Sequence, residues 1–320
     1  MIKNEFQEIL TKVIDLDHDQ RITLRQELDK LPAEQMIFDL LEERIERMGT
    51  CVHCGSSEII KKGKQSGLRR YHCKSCKTSF NAATGTPFSK LRLKGKWMSY
   101  LSCILDSKTI RKSAADVGIN PKTAFRWRHR FMNQSHGLEP MVLSGIVEAD
   151  ETYFRKSMKG SRKLTRPPRP RGSFKSKRGL SKELVSVMTL CDRVGGESDF
   201  ITGLGPVKSR WLERNLTPHL EKDVLLITDK AKSYKCFCKK QGINQVRILS
   251  KTRVRGSYHI QHVNSYHSTL KQWIKRFNGV ATKYLNTYLG WSHELFKVKC
   301  MTPKELFRFL FELKELEKGT

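Results

Sequence analysis

Gly145-Ile-Val-Glu-Ala-Asp150 and Val224-Leu-Leu-Ile-Thr-Asp229 are two short apolar runs, each closed by an aspartate. Both are too short for helices and rich in aliphatic and β-branched side chains, so each reads as a strand delivering a carboxylate to its carboxyl end. Further strands are read at Leu184-Val-Ser-Val-Met188, Phe200-Ile201 and Val246-Arg-Ile-Leu249, with helices over 208–221, 230–241 and 261–277. The first three strands follow one another as an antiparallel meander would, and helix-strand alternation comes after them. That order predicts an α/β domain built on a mixed sheet with helices packed against it. If the strands leading to Asp150 and Asp229 lie side by side, their carboxylates share one rigid rim. Such a pair can hold two Mg²⁺ ions about 3.5–4 Å apart for phosphoryl transfer. For either aspartate alone, a turn or helix cap is the competing reading.

Outward from that core, the chain has 320 residues, enough for about two domains of ~150 residues. Lysine and arginine number 61 against 32 acids, a net of +29, with a pI near 9.9. That excess predicts a polyanionic partner, with nucleic acid the leading candidate. Hydrophobic residues at 38% are too many for a disordered basic tail. No apolar run reaches the ~18 residues of a membrane span, and the opening Met1-Ile-Lys-Asn-Glu does not resemble a secretory leader. Nine cysteines, an odd count, suggest thiols or a metal site in a reducing compartment. Secreted, membrane and disulfide-scaffold classes are therefore excluded.

The charge is uneven. Residues 1–48 hold 12 acids and 7 bases, and read as short helices with stripes Phe6/Leu10/Val13/Ile14 and Ile37/Leu40/Leu41/Ile45. This segment is expected to dimerise or to cap its neighbour. Asp15, Asp17 and Asp19 imitate a calcium loop, but Gln20 and Gln26 stand where glycine and a bidentate glutamate belong, so helix-boundary acids are the better reading. Residues 155–182 carry 12 bases, no acid and three prolines, and read as a mobile basic loop until an anion orders it.

Cys51-Val-His-Cys54 and Cys73-Lys-Ser-Cys76 are two CxxC knuckles separated by 18 residues. The two-residue spacing lets both thiolates of a knuckle face one ion, and the gap suits a hairpin that closes a tetrahedron. A redox pair would need one CxxC, so structural Zn²⁺ is expected within a β-ribbon spanning 49–84. The other cysteines read as core or incidental.

Residues 91–135 read as helices. Within them, Ser107 to Arg130 follow helix-turn-helix grammar: an apolar face of Ile110, Ala114, Ala115 and Val117, a turn at Gly118, and Asn120-Pro121 opening a second helix. Lys122, Thr123, Arg126, Arg128 and Arg130 are expected to face DNA. A plain helical hairpin with solvated bases is the competing reading.

The third element of the acidic site is His259-Ile-Gln-His-Val-Asn264-Ser-Tyr-His267-Ser-Thr-Leu-Lys271. Lys271 follows Asn264 by seven residues, two turns later on the same helix face, with His267 between them. With Val147-Glu-Ala-Asp150-Glu-Thr-Tyr-Phe154, Ile227-Thr-Asp229-Lys-Ala-Lys-Ser-Tyr234 and the zinc ribbon, the chain resembles DDE-superfamily transposases of bacterial insertion sequences. Specifically it resembles the ISXO-like group, with an N-terminal zinc ribbon and an Asp-Asp-Asn-Lys tetrad. The resemblance spans about residues 35–300.

That resemblance implies an RNase-H-like catalytic domain over 144–300, followed by a C-terminal helix over 301–320. It implies Asp150 and Asp229 as Mg²⁺ ligands, Asn264 where most of the superfamily has an acid, and Lys271 near the scissile phosphate. An amide is a weaker, neutral ligand, so Glu148, Glu151 and Glu294 are candidates to restore the missing charge, with His267 beside them. Alternation turns Glu148 to the face of Asp150 and Glu151 away from it. The implied activity is binding of an element's terminal inverted repeats, then Mg²⁺-dependent DNA cleavage and strand transfer. The partners would be double-stranded DNA, both element ends and target, and further copies of the chain, with no membrane; the compartment would be the bacterial cytoplasm and nucleoid. A DNA-binding regulator with an inactive catalytic fold, or a nuclease without strand transfer, would share most of these features.

Overall fold

The computed structural model describes residues 11–17, 19–21, 33–133, 141–165, 167–170, 179–249, 254–298 and 301–316. It divides into two compact units, residues 1–101 and 102–320. In the first, helix α1 (Ala33–Met48) precedes an antiparallel ribbon of β1 (Ile59–Gln65), β2 (Leu68–Cys73) and β3 (Ser79–Asn81). The α1 stripe of Ile37, Leu40, Leu41 and Ile45 is buried, and buried Arg44 donates from Nη1 to the carbonyls of Ala82 and Thr84 at 3.3 Å. Between β1 and β2 the chain turns at Gly67, φ +80°, where a Cβ would lie 2.5 Å from the Phe38 ring. Only glycine permits both that dihedral and that approach. The helix therefore caps the ribbon, one of the two roles expected of it. Of the other stripe, Phe6 and Leu10 lie outside the described residues, and Ile14 is exposed. The supposed calcium-loop acids form a cap, with Asp17 Oδ1 accepting from the Gln20 amide at 2.8 Å.

Helix α2 (Trp97–Leu105) leads into the second unit, which opens with α3 (Ile110–Val117) and α4 (Pro121–Met132). Thr109 caps α3 by accepting from Lys112, Gly118 closes it at φ 65°, and Asn120 caps α4 by accepting from Lys122, with Pro121 in the first turn. Gly118, Asn120 and Pro121 are the turn and start signals read from the sequence; the Thr109 cap is added by the structure.

The sheet comprises β4 (Ile146–Arg155), β5 (Leu184–Asp192), β6 (Glu197–Leu204), β7 (Leu225–Thr228) and β8 (Asn244–Arg247) in the order β6-β5-β4-β7-β8. The β4-β5-β6 meander is antiparallel, whereas β7 and β8 join in parallel. Helices α5 (Ser209–Leu216) and α6 (Lys232–Gln241) bury Leu212, Leu216, Tyr234 and Phe237 with Val147, Ala149, Met188, Leu190 and Leu226 in one core. After a small hairpin, β9 (Val254–Arg255) and β10 (Tyr258–His259), come α7 (Gln261–Lys275), α8 (Thr282–Val298) and α9 (Pro303–Leu316). Helix α7 packs on β4 and β5, and α8 on β6. The chain is thus a mixed α/β protein whose five-stranded mixed sheet is flanked by helices, as the sequence predicts.

Two details depart from the sequence reading. Asp150 does not end its strand: β4 continues to Arg155 because β5 pairs with it as far as Arg155↔Leu184. Arg128 is buried at 1% exposure; its Nη2 donates to Ser113 Oγ at 3.0 Å and its guanidinium lies over the Phe277 ring. It cannot reach a base edge. Arg128→Ala should cost about 2–3 kcal/mol of stability, because it empties a packed site and removes the buried bond to Ser113. Lys122→Ala, at an exposed position, should stay within ~0.5 kcal/mol. Thermal denaturation of the two variants checks the order.

The same interface contains His129, stacked on Tyr284 with ring centroids 3.9 Å apart. Burial, then the charges of Arg128 and Lys283, push its imidazole down to about 4 from 6.5. The folded state therefore resists a proton that the unfolded chain accepts. Its contribution to stability is complete above pH 6.5 and declines as pH falls toward 4, by at most ~1.4 kcal/mol per pH unit. Melting curves of His129→Phe should be flatter than wild type across that window.

Candidate active site and nucleic-acid interface

The parallel ladder between β4 and β7 aligns Ile146 with Leu225, Val147 with Leu226 and Glu148 with Ile227. Asp150 and Asp229 each lie two residues beyond the last pair of that ladder. Alternation along β4 puts Asp150 on the face of Glu148, which α7 covers. There β7 has ended, so the pair sits where the sheet opens between β4 and the start of α6.

Asp150 is pushed up to about 6, chiefly by burial and further by the Asp229 carboxylate; an amide hydrogen bond from Glu151 and the Lys271 ammonium act against the rise. Lys271 thus lies close enough to Asp150 for its charge to be felt. Asn264 and Lys271 are both on the exposed face of α7, two turns apart. Asp229 accepts at Oδ1 from the Ala231 amide at 2.9 Å, which fixes its side chain at the entrance to α6. The cap reading and the ligand reading are compatible here, because a carboxylate has a second oxygen.

Glu151 faces the opposite side of β4, as alternation predicts. It nevertheless interacts with this pair: burial first, then Asp150 and Asp229, push it up to about 7, while a hydrogen bond from Tyr234 opposes the shift. Tyr234 in turn is pushed well up by burial and the Glu151 carboxylate. Carboxylates raised in this way, by burial first and by one another second, are a donor chemistry suited to a divalent cation, whose charge would offset both costs.

Glu148 shares the face of Asp150, but its carboxylate is engaged elsewhere, by His262, His259 and Arg193. His267 is buried, and burial, then Lys271, push its imidazole down to about 4. It sits beneath the exposed face that carries Asn264 and Lys271. The side chain of Glu294 lies outside the described residues. Tyr234, Arg193 and His259 were not singled out from the sequence. Tyr234 and His259 belong to the quoted motif stretches, whereas nothing in the local pattern marks Arg193.

In the ribbon, Cys51, Cys54, Cys73 and Cys76 bring their sulfurs within 4.8 Å of one another. Cys51 Sγ and Cys76 Sγ are 3.7 Å apart, and Cys54 Sγ and Cys73 Sγ 3.6 Å. The His53 amide points to Cys51 Sγ at 3.4 Å, and Gly55 turns the first knuckle at φ +76°. Four converging thiols with an amide donor fit Zn²⁺. His53 and His72 are not in the quartet; His72 Nδ1 pairs with Ser79 Oγ at 3.1 Å. Tyr71 stacks on Phe80 with centroids 5.5 Å apart and supplies the ribbon's small core.

On α4, Lys122 and Arg126 are exposed, while Thr123 and Arg130 are half-buried. The described ends of the basic loop are anchored. Ser157 N donates to Thr282 Oγ1 at 2.8 Å, and Lys159 Nζ donates to the carbonyls of Asn278 and Gly279 at 2.9 and 3.0 Å. Residues 166 and 171–178 lie outside the described residues. No helix among the described residues is long and apolar enough to cross a membrane.

Residues 142–291 match the family described as "ISXO2-like transposase domain". A curated relative from Halobacterium salinarum, "Uncharacterized protein in transposable element ISH50", is 27% identical over 263 residues, covering 80% of this chain and 88% of the relative. Among solved structures, the mariner Mos1 paired-end complex with Mg matches at 13% identity over 70% of this chain and 79% of that one, with a TM-score of 0.25. The simian T-cell lymphotropic virus intasome matches at 12% identity over 65% of this chain and 74% of that one, with a TM-score of 0.30. Those scores reflect little global superposition, so the assignment stands on the sequence matches. Residues 142–291 are thus similar to the ISXO2-like transposase domain, and most of the chain is similar to a protein of a transposable element.

Proposed function

We propose that this chain is a transposase that binds the terminal inverted repeats of its element and catalyses Mg²⁺-dependent cleavage and strand transfer. The observation that supports the proposal is the parallel β4/β7 ladder, which Asp150 and Asp229 follow by two residues on each side, with the charges of Asp229 and Lys271 both felt at Asp150. Asp150, Asp229 and the amide oxygen of Asn264 would hold Mg²⁺. When bound, the metal would supply Lewis-acid activation of an attacking oxygen and charge neutralisation at the leaving one. Lys271 would bind a non-bridging oxygen of the scissile phosphate, and the rigid strands would hold the carboxylates in place as DNA enters. Water attacks first and frees a 3′-hydroxyl; that hydroxyl then displaces a target phosphodiester oxygen, so no covalent protein intermediate is needed.

Zinc at Cys51, Cys54, Cys73 and Cys76 would fold the ribbon. Lys122, Thr123 and Arg126, with Arg130 at the end of α4, would meet DNA, and Lys122→Ala and Arg126→Ala should each reduce the salt slope of binding by about one. Joining two ends requires two active sites, so a dimer or larger assembly on DNA, in the bacterial cytoplasm, belongs to the same proposal.

The test is incubation of the full chain with DNA carrying the element's ends and a supercoiled target in Mg²⁺. Joined products support the proposal. Cut but unjoined ends indicate a nuclease, and tight specific binding without cutting in Mg²⁺ or Mn²⁺ indicates a regulator.

A further inference from the structure

We propose that Glu148 is a positioning residue that fastens the amino end of α7 to β4 and thereby sets Asn264 and Lys271 against the Asp150/Asp229 rim. This rests on reading those four residues as the catalytic set. The Glu148 side chain has 0% exposure, a cost no carboxylate bears without partners. Its Oε2 accepts from the main-chain amides of His262 at 2.9 Å and Val263 at 3.4 Å. Those are first-turn donors of α7, whose N-cap residue, Ile260, makes no side-chain cap. A glutamate 114 residues away in sequence therefore does the capping.

The other oxygen, Oε1, is met by His262 Nδ1 at 2.6 Å, Arg193 Nη2 at 3.2 Å and His259 Nδ1 at 3.3 Å. Arg193 Nη1 also lies 3.1 Å from His259 Nε2. The Gln261 amide in turn donates to His259 Nδ1 at 3.3 Å, which ties β10 to the first residue of α7. One buried carboxylate thus meets polar groups from the end of β5, from β10 and from α7. Fully satisfied networks of this kind are rigid. Asn264 is the residue after the second clamped amide, so any shift of the helix start passes directly to it. Lys271 rides on the same helix two turns later.

The test uses the full chain with Glu148→Gln and Glu148→Ala. Amide exchange over 260–264 should quicken by about tenfold or more, as a local opening and not a global one. Cleavage at saturating DNA should fall about 10–100-fold, with DNA affinity unchanged and half-saturating Mg²⁺ raised. Simple destabilisation would reduce the active fraction without moving the Mg²⁺ requirement. Glu148→Gln keeps an oxygen for the two amides and should be the milder variant; it carries the test if Glu148→Ala does not fold. Unchanged exchange at His262 and Val263 in both variants would overturn the proposal. So would loss of one equivalent of bound zinc on either substitution, since the Glu148/His259/His262 cluster would then be a metal site. Quickened exchange in a protein whose wild type neither cuts nor joins would sink the catalytic reading and leave the anchor standing.

Discussion

Asp150→Asn should abolish end cleavage and strand transfer, by about a thousand-fold or more, while leaving DNA-end binding intact. The magnitude follows from the chemistry: a lost Lewis acid forfeits several kcal/mol of transition-state stabilisation, and each ~1.4 kcal/mol is tenfold in rate. The same substitution should leave the ion-free protein as stable as wild type or more so. Asp150 is held up at about 6 by burial and by Asp229, so at neutral pH its charge opposes folding until a cation arrives. Measuring Tm without divalent ions beside the joining rate separates the two effects. A large fall in Tm accompanying the loss of activity would mean that Asp150 is structural.

The second large effect concerns the ribbon. Removing zinc with a chelator, or substituting Cys73→Ser, should unfold residues 49–84. The ribbon's core amounts to little more than the stacked Tyr71 and Phe80 with a few neighbours. Zinc binding in such modules contributes roughly 10–16 kcal/mol, far beyond what that contact supplies. Limited proteolysis should show new cutting within 49–84 and no new cutting within β4 to β8. One equivalent of zinc per chain by metal analysis, lost in Cys73→Ser, completes the check. A ribbon that stays protease-resistant without metal would refute the structural role.

Much of the sheet was legible because its strands contain short apolar runs, and because the absence of a helix between the first three already implied a meander. The pairing of β7 with β4 entered the sequence reading only as a condition, and the parallel ladder supplies it. What misled was length: β4 extends through Glu151 to Arg155, residues whose mixed polarity hides a strand paired to β5. Arg128 was misread for a different reason. Its position is three residues from Phe131 and four from Ala124, all buried, so helical periodicity already placed it on the packed stripe. Its charge outweighed that signal in the sequence reading. Glu148 could be assigned to a face by alternation, but not to a partner. The polar groups that meet it come from residues 193, 259 and 262, brought together only by the fold.

The central claim is that Asp150 binds the catalytic metal, and a change of ligand chemistry tests it most directly. Asp150→Cys replaces a hard oxygen donor with a soft sulfur, which Mg²⁺ tolerates poorly and a softer divalent ion such as Mn²⁺ tolerates better. The joining rate of this variant should be lost in Mg²⁺ and partly restored in Mn²⁺, with DNA binding equal in both. Equal activity in the two metals, or none in either while binding persists, would contradict a metal ligand at Asp150.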